Sequence, residues 1–189
     1  VAIVDPVLAE TMPPTLTAHT GMDAMTHAIE AYVSTANCNY TDPLAIHAIE
    51  MIQANLVKSY SGDMSCRDDM HDAQCLAGMA FSNVGLGVDH GMAHPLSAFY
   101  GIPHGVACAT LLPYVMEFNK DYTGEKFREI ARVMGVEGVD EMTLDEARKA
   151  AVDAVKKLSH DVGIPENLKD IVKPEDVDFL AQSAYDDAC

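Results

Sequence analysis

The sequence predicts an all-α fold, a multi-helix bundle of about seven to nine helices, preceded by one short strand whose sheet partners lie outside the 189 residues. Three observations point there. Apolar residues make up 49% of the chain but aromatics only 6%, with no Trp and 11 Met, so the core is aliphatic and suits close helix packing better than a sheet. After Pro13-Pro14 the punctuation is helical almost throughout, and strand and helix signals never alternate. The length fits one domain, or slightly more, at roughly 150 residues per domain, and no internal repeat or low-complexity tract breaks it.

Val1-Ala2-Ile3-Val4 is a β-branched run ending in Asp5-Pro6, and a lone strand cannot satisfy its backbone groups. Residues 1–12 therefore read as a connecting strand and linker from another, sheet-containing domain, with residues 13–189 as the helical body. Thr20-x-x-Asp23 resembles a capping box and leads into a helix over Gly21–Ser34. Asp42-Pro43 sets a cap before a first-turn proline and opens a helix to about Tyr60, with Leu44, Ile46, Ala48, Ile49, Ile52 and Leu56 as its apolar positions. A helix follows from about Met70 to Val84, Gly85-Leu86-Gly87 breaks it, and another covers Val88–Tyr100 with a kink or tightened turn expected at Pro95. Pro103 restarts a helix at His104 that runs on through Leu112. Leu144, Ala147, Ala151, Ala154, Val155 and Leu158 then repeat at helical spacing over Leu144–Ser159, and a last helix starts after Pro174.

With 12 basic and 29 acidic residues the formal charge is −17, which repels phosphate backbones and anionic lipid. Nucleic acid and membrane partners are not expected. Five cysteines, at 38, 66, 75, 108 and 189, form no CxxC pair, and their odd number fits a reducing compartment. No apolar run approaches the ~18 residues of a membrane span, and the opening residues are too short for a signal-peptide core, so a cytoplasmic location is expected.

Asp23 and His27 are four apart in a predicted helix, so both side chains leave one face and can converge on one ion. His90 and His94 repeat that spacing among small neighbours, and Pro103-His104-Gly105 sets a third histidine in the first turn of a helix. Imidazoles with one carboxylate suit a borderline divalent metal, and a partly filled shell leaves room for a substrate oxygen. Each part also has a plainer reading: a surface or capping pair, a satisfied core pair, a turn residue. Spacing alone treats His90 and His94 as equivalent and does not separate a metal hydrolase from a metal dehydrogenase. His19, His47, His71 and His160 lack such context and read as structural or solvated.

The run Met12-Pro13-Pro14, then Gly21-Met22-Asp23-Ala24-Met25-Thr26-His27-Ala28-Ile29-Glu30-Ala31-Tyr32, then Gly87-Val88-Asp89-His90-Gly91-Met92-Ala93-His94-Pro95-Leu96, then Pro103-His104-Gly105 and Leu111-Leu112-Pro113, resembles the iron-containing (group III) alcohol dehydrogenases. The stretch Pro95–Ala107 looks most like the lactaldehyde reductase and 1,3-propanediol dehydrogenase type. The resemblance implies that this chain is the C-terminal metal-binding helical domain, and that the leading strand belongs to an α/β dinucleotide-binding domain that precedes it. It implies a metal-dependent, NAD(P)-linked dehydrogenase of short alcohols or diols, in which the metal acts as a Lewis acid on the alcohol or carbonyl oxygen.

By the same resemblance the metal ligands are Asp23, His27, His90 and His104. His94 is then left for catalysis and for contact with the nicotinamide. The metal is Fe²⁺ with Zn²⁺ as a substitute, and NAD or NADP is held mainly by the other domain, so the chain alone is expected to lack dehydrogenase activity. Phe81, Leu86 and Cys189 are candidates for the alcohol pocket or, equally, for core. Ser97 and Cys108 stand where the family commonly has Gly and Asn. Asp89 replaces an apolar or small residue, and reads either as a partner orienting a ring N–H or as a solvated acid. A homo-oligomer is compatible with the sequence. Two other readings predict different behaviour: a stand-alone metal hydrolase, which would cleave an ester or phosphoester without nicotinamide, and a non-catalytic metal-binding bundle with a closed coordination shell.

Overall fold

The computed structural model describes residues 3–187, and among them the regular structure is entirely helical, with eight α-helices joined by short links and single 3₁₀ turns. They are α1 (Pro14–Val33), α2 (Asp42–Tyr60), α3 (Arg67–Val84), α4 (Val88–Tyr100), α5 (His104–Asn119), α6 (Lys126–Val133), α7 (Leu144–Asp161) and α8 (Val177–Tyr185). None is long and apolar enough to cross a membrane.

Among the described residues no strand forms. Val1 and Ala2 lie outside the described residues, while Ile3 and Val4 are exposed and unpaired, and the chain enters a 3₁₀ turn at Pro6–Ala9. An extended segment without a neighbour to take its backbone bonds does not count as a strand. The α1 start also differs from expectation. Helix begins at Pro14, and the Thr20 hydroxyl donates to the Leu16 carbonyl inside it rather than capping anything. Proline at the first position opens α1, since its missing N–H would have had no partner there. Likewise α3 begins at Arg67 rather than Met70, and α8 is delayed by a 3₁₀ turn at Pro174–Asp176.

Helix α1 is the hub, packing against α2, α3 and α5, with further contact to α6. Its small residues make that closeness feasible. Ala18, Ala24, Ala28 and Ala31 are all buried, and they face alanine-rich seams on α2 (Ala45, Ala48) and α3 (Ala73, Ala77, Ala80). The volume between them is filled by Met22, Met25, Ile29, Ile49, Ile52, Leu56, Leu112, Met116, Phe127 and Ile130, all buried. A second, smaller cluster joins α4, α5 and α8 through Ala93, Leu96, Val106, Ala107, Cys108 and Leu180.

Local signals explain several boundaries. Thr143 and Glu146 form a reciprocal capping box at the start of α7, and Gly101, at φ 65°, closes α4 in the left-handed region that favours glycine. At the α1–α5 crossing no side chain would fit. A Cβ built on Gly105 would stand 2.1 Å from the His19 carbonyl oxygen, so the two backbones meet there directly. That crossing lies one residue from His104 and one helical turn from Asp23.

Candidate metal centre

Three helices converge at this crossing. Asp23 and His27 come from the middle of α1, His90 and His94 from α4, and His104 and Cys108 from the first turns of α5. The Asp23 Oδ1 lies 3.6 Å from His90 Nε2 and 3.5 Å from His104 Nε2, and Cys108 Sγ lies 3.6 Å from His104 Nε2. One donor atom from each of Asp23, His90, His104 and Cys108 falls within 4.8 Å of every other.

His27 stands beside this set. Its ring stacks on Phe81 and on His90, each with centroids 4.5 Å apart. His94 stacks on His104 at 5.5 Å and its Nδ1 lies 2.9 Å from Asp187 Oδ2, and both His94 and His104 are partly exposed. Of the pocket candidates, Phe81 thus reaches the site through His27. Leu86 is half-buried in the α3–α4 link, and Cys189 lies outside the described residues.

Glu30, one further step along the α1 face that carries Asp23 and His27, organises the second side of the site. Its Oε2 accepts from His90 Nδ1 at 2.6 Å, and its Oε1 accepts from the Asp89 backbone N–H at 2.9 Å. Because a carboxylate can only accept, Nδ1 carries the proton and Nε2 is the nitrogen turned toward Asp23 and His104. A Cβ on Gly87 would sit 2.7 Å from Glu30 Oε1, so that glycine leaves the carboxylate its room.

Protonation follows from burial and from the carboxylates. Burial drives the His27 pKa down to about 4 and lowers that of His104, so both rings are neutral near pH 7. His90 differs. Burial works against its charge, but the Asp23 and Glu30 carboxylates outweigh that and raise it to about 9. Burial likewise opposes ionisation of Asp23, yet the surrounding imidazoles, His90 foremost, hold its pKa below the ordinary value. Asp89 is fully buried rather than solvated. Burial and the neighbouring Glu30 push its pKa well up, and the Cys108 thiol is pushed up by burial and by Asp89.

The donor set fits a divalent metal. Asp23 Oδ1 and His90 Nε2 are both buried with no hydrogen-bond partner, an arrangement that costs free energy unless something else fills the gap. Ligand atoms about 2.1 Å from a shared centre at tetrahedral angles lie roughly 3.4 Å apart, close to the spacings among Asp23, His90 and His104. Two neutral imidazoles, one that loses its proton on binding, and a carboxylate are the ligand types a borderline metal prefers.

Sequence reasoning named Asp23, His27, His90, His94 and His104 but assigned nothing to Glu30, Cys108 or Asp187. Glu30 follows Asp23 and His27 at i, i+4, i+7, and Cys108 follows His104 at i+4, so helical spacing held a signal for both. Asp187 meets His94 across 93 residues, and no local pattern announces it.

Comparison with known proteins places these features in context. Residues 17–189 match the family described as Fe-containing alcohol dehydrogenase family, C-terminal. The chain is 56% identical to lactaldehyde reductase of Escherichia coli (strain K12) over 190 residues, covering 100% of this chain and 50% of that protein. It is 50% identical to NADPH-dependent butanol dehydrogenase of Clostridium saccharobutylicum over 194 residues, covering 100% and 49%. Among solved structures, that of a 1,3-propanediol oxidoreductase superposes with a TM-score of 0.94 at 43% identity, covering 97% of this chain and 49% of that one. The chain spans about half the length of the curated relatives it matches.

Proposed function

Because the chain belongs to the iron-containing alcohol dehydrogenase family, we propose that it is the metal-binding catalytic part of an NAD(P)-linked oxidoreductase acting on short alcohols or diols and the matching aldehydes. Residues 13–189 form the helical part and residues 1–12 the link to a nucleotide-binding region, which holds most of the nicotinamide cofactor. The observation that carries this reading is the convergence of donors from α1, α4 and α5, with the buried Asp23 Oδ1 and His90 Nε2 left without a hydrogen-bond partner. The relatives, a lactaldehyde reductase and an NADPH-dependent butanol dehydrogenase, support the substrate class and the cofactor.

Asp23, His27, His90 and His104 would hold the metal, the His27 ring lying against that of His90 beside the other three. A divalent metal there, Fe²⁺ with Zn²⁺ as substitute, supplies Lewis acidity toward an alcohol or carbonyl oxygen. Glu30 fixes the His90 ring so that Nε2 faces the donors. His27 and His104, neutral through burial, offer lone pairs without first losing a proton. Phe81 against His27 contributes an apolar wall that suits a short carbon chain. His94, half-exposed and oriented by Asp187, is the ring placed to meet nicotinamide or substrate and to relay a proton.

A chimera tests this. The chain is fused to the remaining half of the E. coli lactaldehyde reductase, and NADH oxidation is followed with short aldehydes. Turnover that is abolished by Asp23→Ala, with about one metal per chain in the parent and none in the variant, is the expected result. A chimera that binds metal but reduces no aldehyde overturns the activity, and one that folds without binding metal overturns the site.

A further inference from the structure

Arg67 is the one arginine that forms no ion pair among the described residues. Arg128 pairs with Glu125, Arg132 with Glu129 and Asp140, and Arg148 with Asp121 and Asp145. Arg67 is only 5% exposed, and its side chain makes a single hydrogen bond, from Nη2 to the Met12 carbonyl at 3.3 Å. Its Nε and Nη1 are buried with no acceptor. A buried charge ordinarily has a counter-charge, because an ion taken out of water unpaired is strongly destabilising.

The guanidinium lines a cavity of about 260 Å³ between α1, α2 and α3. Ser59, near the end of α2, lines the same cavity, is 1% exposed, and its hydroxyl has no hydrogen-bond partner. Two unsatisfied donors from different helices therefore border one space, and the guanidinium, which can only donate, calls for a negative acceptor. Ala24, Met12 and Met70 add apolar wall, and the two thioether chains are flexible enough to yield to a ligand. The volume is below the roughly 300–1,000 Å³ of drug-sized sites, so the ligand is a few carbons long. A carboxylate fits better than phosphate. One guanidinium offsets one negative charge, whereas a phosphate dianion would keep a second, uncompensated charge in a chain of formal charge −17, with Glu10 and Asp68 already bordering Arg67 in the adjoining groove.

We propose that the cavity between α1, α2 and α3 binds a small organic monocarboxylate, held by the Arg67 guanidinium and the Ser59 hydroxyl. The site shares no residue with the metal donors and stands independently of them. Side-chain ¹⁵N NMR reads the guanidinium directly. Propionate is titrated into the ¹⁵N-labelled chain at constant ionic strength, and the arginine Nε–H signals, assigned through bonds, are followed. The expected result is a saturable shift of the Arg67 signal, with those of Arg128, Arg132 and Arg148 unmoved. Ser59→Ala should weaken propionate by roughly tenfold, as loss of one hydrogen bond to a charged group does. An Arg67 signal indifferent to propionate overturns the proposal. Inorganic phosphate that binds as tightly overturns the carboxylate assignment, and unchanged affinity in Ser59→Ala overturns the cavity as the place of binding. The titration is repeated on the fusion with the remaining half of the E. coli lactaldehyde reductase. Retained binding supports the proposal, and its loss there overturns it, because the counter-charge of Arg67 is then a side chain of the other half.

Discussion

Gly105→Ala probes the crossing on which the candidate site depends. A Cβ at that position would lie 2.1 Å from the His19 carbonyl oxygen and 2.6 Å from its carbonyl carbon, both backbone atoms that no rotamer change can move. Reaching even a 3.0 Å contact requires the helices to part by 3.0 − 2.1 = 0.9 Å. His104 precedes Gly105 and Asp23 lies one turn beyond His19, so the parting falls on the Asp23–His104 spacing and stretches it from 3.5 Å toward about 4.4 Å. Metal sites tolerate roughly 0.2 Å in ligand distance. The overpacking costs about 3 kcal/mol, the upper end for such insertions, less about 1 kcal/mol gained by replacing glycine in a helix, leaving a net loss of about 2 kcal/mol. Gly21→Ala is the control. Its Cβ would stand 2.3 Å from Leu56 Cδ1, the tip of a side chain on α2, so it perturbs the core without prising α5 from α1. Urea denaturation and zinc competition on both variants give the assay. The expected outcome is that both lose stability but only Gly105→Ala loses metal affinity, by tenfold or more. Parent-like zinc affinity in Gly105→Ala would refute the link between the crossing and the site.

Glu30→Gln keeps an acceptor near His90 but removes the charge that orients it, and zinc competition should report a loss of about 10- to 100-fold. Thr143→Ala removes the α7 cap and should cost about 1 kcal/mol in urea melts near neutral pH. The bonds from Thr143 depress the Glu146 pKa below its ordinary 4.5, so their contribution is present in full above that value and is lost as pH falls through the lower folded one. The gap between parent and Thr143→Ala should therefore narrow at strongly acidic pH without closing, because the Glu146 N–H still donates to Thr143 Oγ1 in the parent, and a gap that is unchanged there would count against the carboxylate half of the capping box. Asp23, Glu30 and Asp89 face one another with His90 as their raised-pKa partner, so a bound cation should stabilise the fold; at 100 times the dissociation constant the gain is about 2.7 kcal/mol, and a melting temperature indifferent to chelator would sink the idea.

The helical character was legible because it is a periodic property. Leu44 to Leu56 and Leu144 to Leu158 repeat at the spacing of one buried face, and the structure places Ile49, Ile52, Leu56, Ala147, Val155 and Leu158 in the core. Where expectation and structure differ, a short-range signal gave way to a longer one. Thr20-x-x-Asp23 looks like a cap in isolation, but Pro14 already supplies a start, and Thr20 then lies inside a helix. The helix over Lys126–Val133 was not anticipated, although Phe127, Ile130 and Ala131 are buried at i, i+3, i+4, because eight residues carry too little of the pattern to stand out.

The site divides along the same line. Asp23 with His27, and His90 with His94, are pairs within one helix, and spacing alone exposed them. Whether two helices bring their pairs to a common point is a property of the crossing, and the crossing is written in residues with nothing to show: Gly105 against the His19 backbone, Gly87 against Glu30. Asp89 illustrates the consequence. In a chain with a formal charge of −17 an acid is ordinarily solvated, yet this one is fully buried against Glu30 and Cys108, because Gly87 lets α4 enter close to α1. Asp89 and Cys108 both stand beside the candidate donors, and the fold sets them next to each other. Two residues that look unrelated at a separation of 19 positions thus share one small volume at the donors, where a buried acid and a buried thiol add to the charge and polarity a metal would meet.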